Sequence, residues 1–142
     1  MVLHRNPLVC LSSCTSMYTI LGRKFYTAID TNYLAKNQCR RMEIITDKMI
    51  QLNKHNPRIM HVRYDDLVRE GTDMIEAIYK RFGYTYSSEF HNKATSWLNS
   101  NPQGKHGRHK YSCEKYGLDK NGLKEKFSKY AATFDIDLDN FS

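Results

Sequence analysis

Arg5, Asn6, Pro7 and Ser13 are spaced for the capture of an anion. Val2, Leu3 and His4 read as the end of a strand, and Asn6 before Pro7 supplies a helix cap with proline at the first helical position. A helix starting there turns its free N–H groups and the positive end of its dipole toward the side that Arg5 also reaches. Ser13, further along the same helix, adds a hydroxyl donor. The commoner fate of such residues is a solvated arginine and a serine facing a neighbouring helix. A second basic element lies at Lys105-His106-Gly107-Arg108. Beside Gly104 and Gly107 the backbone can approach a phosphate closely, and Lys105 and Arg108 offer charge-assisted donors. Taken alone, that run is a solvated basic loop.

The charge distribution marks the same two places. The 142 residues carry 22 Lys plus Arg against 15 Asp plus Glu, a net charge of +7 that favours an anionic partner such as a nucleotide, nucleic acid, sulfated glycan or membrane surface. Residues 1 to 41 and residues 101 to 130 each contribute +5, the stretch between them is neutral, and residues 131 to 142 are acidic. Forty per cent hydrophobic and 26% charged residues place the chain among globular proteins, and its length suits a single domain, so a two-domain enzyme is disfavoured. No apolar run reaches the roughly 18 residues of a membrane-spanning helix, and residues 1 to 25 lack the apolar stretch of a signal peptide. The chain therefore reads as soluble and unexported, with a cytoplasmic location as the expectation. Cys10, Cys14, Cys39 and Cys113 form no CxxC pair and read as free thiols of a reducing compartment. His106, His109 and Cys113 have a spacing that a metal could use, yet no fourth ligand accompanies them and no metal is assigned. His4, His55, His61 and His91 take no role.

The elements that must position these groups follow from periodicity. Cys10, Cys14, Met17 and Leu21 recur at helical spacing to about Gly22 and predict a packing face. Met42, Ile45, Met49 and Leu52 predict a second helix over about Leu34 to Asn53. Ile59 to Tyr64 predicts a strand of a buried sheet, and Ile75, Ile78, Tyr79 and Phe82 a helix ended by Gly83. Ser87 or Ser88 caps a helix to about Ser100, Pro102 to Ser112 is a loop, and Leu123, Phe127, Tyr130 and Phe134 mark a last helix. Two short strands near residues 2 to 5 and 59 to 63, joined through helices, are expected to pair in parallel as part of a doubly wound α/β sheet. Two strands make a small sheet for so many helices, and the first is expected to begin upstream of Met1.

In order and spacing, these segments resemble a known family. His4-Arg5-Asn6-Pro7 with Ser13 resembles the HR(D/N)P…S segment of sulfotransferases that use 3′-phosphoadenosine 5′-phosphosulfate. Val62 to Val68, VRYDDLV, resembles their strand-to-helix junction, and Ile75 to Gly83, IEAIYKRFG, the helix after it. Thr95-Ser96-Trp97 through Asn101-Pro102 resembles the helix leading to the cofactor loop. Asn101 to Ser112, NPQGKHGRHKYS, resembles that loop, which Tyr116-Gly117-Leu118 continues. The likeness runs over about residues 1 to 135.

This resemblance implies a C-terminal portion of a P-loop-NTPase-like doubly wound parallel sheet, mostly helical over residues 1 to 142, without the N-terminal half that cradles the phosphosulfate. It implies sulfuryl transfer from the phosphoadenosine phosphosulfate co-substrate to an acceptor hydroxyl or amine on a small molecule or glycan. By residue, it assigns Arg5, Ser13, Lys105, His106, Gly107 and Arg108 to the nucleotide's 3′-phosphate, Tyr64 to contact with the adenine, and Trp97 to stacking on it. Tyr64 and Trp97 read equally as core or interface aromatics. No catalytic residue is assigned, and no glycine-rich loop of the form GxxxxGK(S/T) occurs, so the chain alone is expected to be inactive. Family members occur in the cytosol and as Golgi membrane proteins. The alternatives are a small basic nucleic-acid-binding module, disfavoured because no nucleic-acid motif appears, and a non-catalytic sulfotransferase remnant.

Overall fold

A computed structural model describes residues 1–52, 56–102 and 112–141. In chain order the elements are β1 (Val2–His4), α1 (Pro7–Gly22), α2 (Thr31–Gln51), β2 (His61–Arg63), α3 (Tyr64–Glu70), α4 (Thr72–Arg81), α5 (Ser88–Ser100), a 3₁₀ turn (Glu114–Tyr116) and α6 (Lys120–Phe134). Contacts divide them into two units, Met1–His4 with Pro57–His109, and Arg5–Asn56 with Lys110–Ser142. The result is a mostly helical α/β protein with a small parallel sheet.

In the first unit β1 and β2 pair in parallel, with Val2 opposite His61, Leu3 opposite Val62 and His4 opposite Arg63. The expected strand pair is present in the expected sense, each strand shorter than predicted. Strand β2 stops at Arg63 because Tyr64 already opens α3, a short helix separate from the one expected over Ile75 to Phe82. A part-buried hydrogen bond between His4 Nε2 and His61 Nδ1, 2.8 Å long, joins the two strands, and the rings stack with centroids 5.0 Å apart. Gly71 separates α3 from α4 at φ 54° and ψ −115°, a backbone state open to glycine alone. The Ser87 hydroxyl accepts from the Phe90 N–H to cap α5. Tyr79, Tyr86 and Phe90 then interlock with ring centroids 5.2 to 5.5 Å apart, tying the α4–α5 region together.

In the second unit α1, α2 and α6 bury Leu8, Leu11, Cys39, Cys113, Leu123 and Phe127, flanked by the partly buried Met42, Leu118, Leu138 and Phe141. Helix α6 presents the predicted stripe of Leu123, Phe127, Tyr130 and Phe134. The face predicted for α1 is corrected. Cys10 and Cys14 are only half buried and Met17 and Leu21 are exposed, whereas Leu8, Leu11, Ser12, Thr15 and Thr19 are buried. A hydroxyl can take a core position when it bonds its own helix. Ser12, Thr15 and Thr19 each donate to the carbonyl four residues back, at 2.8 to 2.9 Å. The face predicted for α2 is corrected in the same way. The helix begins at Thr31 and buries Ala35, Cys39 and Thr46, while Ile45 and Leu52 are exposed.

Among the described residues no helix is long and apolar enough to cross a membrane, and no group of three metal-ligating His, Cys, Asp or Glu side chains is gathered. His106 and His109 lie outside the described residues.

Phe127 is the largest fully buried side chain and touches the centre of the second unit's core. Phe127→Ala is expected to lower stability by about 3–5 kcal/mol, read as a shift of the urea unfolding midpoint with little change in slope.

Candidate functional site

Arg5 and Ser13, the predicted anion-binding pair, lie just before and along α1. Asn6 is the cap: its Oδ1 accepts from the Leu8 N–H at 2.9 Å, and Pro7 occupies the first helical position, where no N–H is needed. The cap does more than the sequence indicates. The Asn6 Nδ2 donates to the carbonyls of Asp137, at 3.1 Å, and Asn140, at 2.8 Å, so one buried amide closes the helix and holds the chain's acidic end against it.

Arg5 sits immediately before this cap, half buried. Its backbone hydrogen-bonds the Tyr130 phenol, whose pKa burial pushes up to about 12. Its charge reaches Cys10, where burial raises the thiol pKa and the Arg5 guanidinium opposes the rise. The backbone hydrogen bond holds Arg5 just ahead of the first turn of α1.

Ser13 lies two turns along that helix. Ser12, Thr15 and Thr19 on the buried face return their hydroxyls to the helix backbone, but Ser13 makes no hydrogen bond among the described residues. Arg5 and Ser13 therefore stand on one unit with a positively poled helix start between them and a hydroxyl that is not engaged.

Lys105, His106, Gly107 and Arg108 lie outside the described residues, but the chain that follows them is anchored on α1. Cys113, 1% exposed, sits with Sγ 3.1 Å from the Ser12 Oγ and donates weakly to the Leu8 carbonyl. Burial raises its thiol pKa. Ser112 Oγ donates to Glu114 at 2.9 Å and Asp119 caps α6, so the segment after the loop is pinned at both ends. Nothing in the residue types announces the Ser12–Cys113 contact, which joins positions 101 apart.

Tyr64 and Trp97 belong to the other unit. Tyr64 is the first residue of α3, half buried, at the turn out of β2. That turn is braced by an ion-pair network. Arg63 donates to both Asp66 carboxylate oxygens, at 2.7 and 2.9 Å, and Arg69 adds a bond of 2.5 Å. The Arg63 hydrogen bonds, reinforced by Arg69, hold the Asp66 carboxyl below the usual carboxylate range. Trp97 lies on α5 with 63% of its surface exposed.

The half-exposed ion pair gives a pH signature. A carboxyl whose folded pKa is depressed adds stability above its ordinary value of about 4, and that stability is lost as pH falls through the folded value. Asp66→Asn is expected to lower stability by about 1 kcal/mol at pH 7, after allowance for solvent screening, with the deficit shrinking below pH 4. Denaturant titrations at pH 7 and pH 3 check it. At the cap, Asn6→Asp keeps the acceptor for Leu8 but sets a carboxylate against two carbonyls, and should cost about 1–3 kcal/mol. Asn6→Ser, which keeps a cap without that repulsion, should cost less in the same assay.

A sequence model described as the sulfotransferase family matches residues 1–88. Among solved structures, the crystal structure of sulfotransferase STF9 from Mycobacterium avium is similar, with a TM-score of 0.82 and 22% identity over 96% of this chain. The chain spans 36% of that protein's length. At this identity the likeness concerns the fold. No curated protein matches the sequence.

Proposed function

The chain belongs to the sulfotransferase family, and from that premise we propose that residues 1 to 142 form the portion of a sulfotransferase that holds the 3′-phosphate side of 3′-phosphoadenosine 5′-phosphosulfate. The observation that carries the reading is the pairing of Arg5, fixed at the start of α1, with the unengaged hydroxyl of Ser13 on the same helix. In this reading the guanidinium and the hydroxyl donate to the phosphate oxygens while the helix dipole favours their charge. Lys105, His106, Gly107 and Arg108 complete the cradle from the loop. Cys113 supports that assignment, since it lies beside Ser12 and Arg108 precedes it by only five residues, at most about 18 Å of extended chain. Tyr64 contacts the adenine and Trp97, already exposed, stacks on it.

The bound co-substrate would supply an activated sulfuryl group for an acceptor hydroxyl or amine of a small molecule or glycan. The parent P-loop-NTPase-like sheet belongs to the same proposal. The chain's own residues bind and orient the nucleotide. Transfer also requires donors around the 5′-phosphosulfate and a base at the acceptor. The sequence offers no recognisable group for either task, so these 142 residues are proposed to bind without turning over.

Calorimetry tests the binding directly. Adenosine 3′,5′-bisphosphate should bind at least tenfold more tightly than adenosine 5′-monophosphate. Arg5→Ala should abolish most of that preference, a loss of about 10- to 100-fold, and Ser13→Ala should weaken binding by about 3- to 10-fold. Equal affinity for the two nucleotides, or an unaffected Arg5→Ala variant, overturns the reading. Sulfuryl transfer by residues 1 to 142 alone would overturn the division of labour.

A further inference from the structure

Helix α1 carries a second hydroxyl that makes no hydrogen bond among the described residues, Ser16, one turn beyond Ser13. It opens onto a cavity of about 330 Å³ at the far end of the helix, lined by Ser16, Thr19, Ile20, Arg23, Thr31, Lys115 and Tyr116. All seven belong to the second unit. The lining holds two cations and no carboxylate. Arg23 and Lys115 make no ion pair among the described residues, and the nearest acids in sequence are engaged: Asp30 accepts from the N–H groups of Asn32 and Tyr33, and Glu114 accepts from Ser112. Of the four hydroxyls, only that of Thr19 is bonded, to the Thr15 carbonyl. Those of Ser16, Thr31 and Tyr116 have no partner among the described residues. The Tyr116 ring is largely buried, with 6% of the residue exposed, while its phenol oxygen keeps access to solvent. The Lys115 ammonium stands 5.8 Å from the centroid of the Tyr116 ring, which holds its charge at the cavity wall.

We propose that this cavity is a binding site for an oxyanion monoester, a phosphate or sulfate group carried on a body of about monosaccharide size. Arg23 and Lys115 would hold the charged oxygens. Ser16, Thr31 and Tyr116 would donate to the remaining oxygens or to hydroxyls of the body, which rests against Ile20. The volume is at the small end of ligand sites, which suits a single sugar ring and excludes a dinucleotide. The site is separate from the Arg5 end: α1 is 16 residues long, about 24 Å at 1.5 Å per residue, with Arg5 just before it and Arg23 just after it. The assignment therefore stands or falls independently of nucleotide binding.

Ligand-observed NMR and calorimetry on residues 1 to 142 test it, with glucose 6-phosphate, glucose 6-sulfate, glucose and inorganic phosphate as probes. Both esters should bind at about millimolar or tighter, the tighter of them naming the preferred group, and glucose at least tenfold more weakly. Arg23→Ala and Lys115→Ala should each weaken ester binding about tenfold, Tyr116→Phe by a few fold, and Arg5→Ala should leave it unchanged. Arg23 and Lys115 are exposed, so their substitution leaves the core intact, and Arg23→Gln gives a second reading that keeps the side chain's bulk. Three results would overturn the proposal: no ester binding, glucose or inorganic phosphate matching the esters, or ester binding that ignores Arg23 and Lys115 and disappears in Arg5→Ala.

Discussion

The side-chain amide of Asn6 is the interaction on which the second unit depends. Its oxygen closes the first turn of α1, and its nitrogen holds the carbonyls of Asp137 and Asn140. Three bonds from a buried group leave no freedom in the turn, so the residue before it, Arg5, inherits a fixed backbone that the Tyr130 phenol reinforces. Precision at an anion site requires such a scaffold, because a guanidinium on a loose turn loses side-chain entropy on each binding event. Here that ordering belongs to folding.

Helix α1 is built to serve two masters. Three of its seven buried residues carry hydroxyls, and each of these answers to the helix's own backbone. That arrangement lets Ser12, Thr15 and Thr19 be buried without partners from other helices, and it leaves Ser13 and Ser16 as donors available to a ligand. The same logic explains why the helix shows little segregation of apolar residues while packing closely.

Much of this was legible in the sequence. The Asn6-Pro7 cap, the Ser87 cap, the stripe of α6 and the parallel sense of the strand pair follow from local chemistry and connection length, and the motifs at Arg5 and Val62 to Val68, within the matched residues 1–88, agree with the family. The packing faces of α1 and α2 did not follow, because apolar spacing selected Cys10, Cys14, Met17 and Leu21 while the fold buries hydroxyls that satisfy themselves. Periodicity counts a threonine as polar whether or not its proton has a home. The tie from Asn6 to Asp137 and Asn140, and the contact of Cys113 with Ser12, join positions more than a hundred residues apart and leave no mark at either one. The cavity at Arg23 and Lys115 lay inside the two basic segments, but charge counts locate a segment and never its walls.

The docking of Cys113 against Ser12 also turns the chain's thiols into a graded set of clocks. Cys10 and Cys14 are half exposed on α1, whereas Cys39 and Cys113 are buried, with the Cys39 pKa pushed up to about 11 by burial and the neighbouring Glu43. An alkylating reagent meets the first two on the native surface and the last two only after an opening event. Because Cys113 lies beside Ser12 outside the helices while Cys39 lies on α2, the ratio of their labelling rates separates a local undocking of the Cys113 segment from the unfolding of the helices.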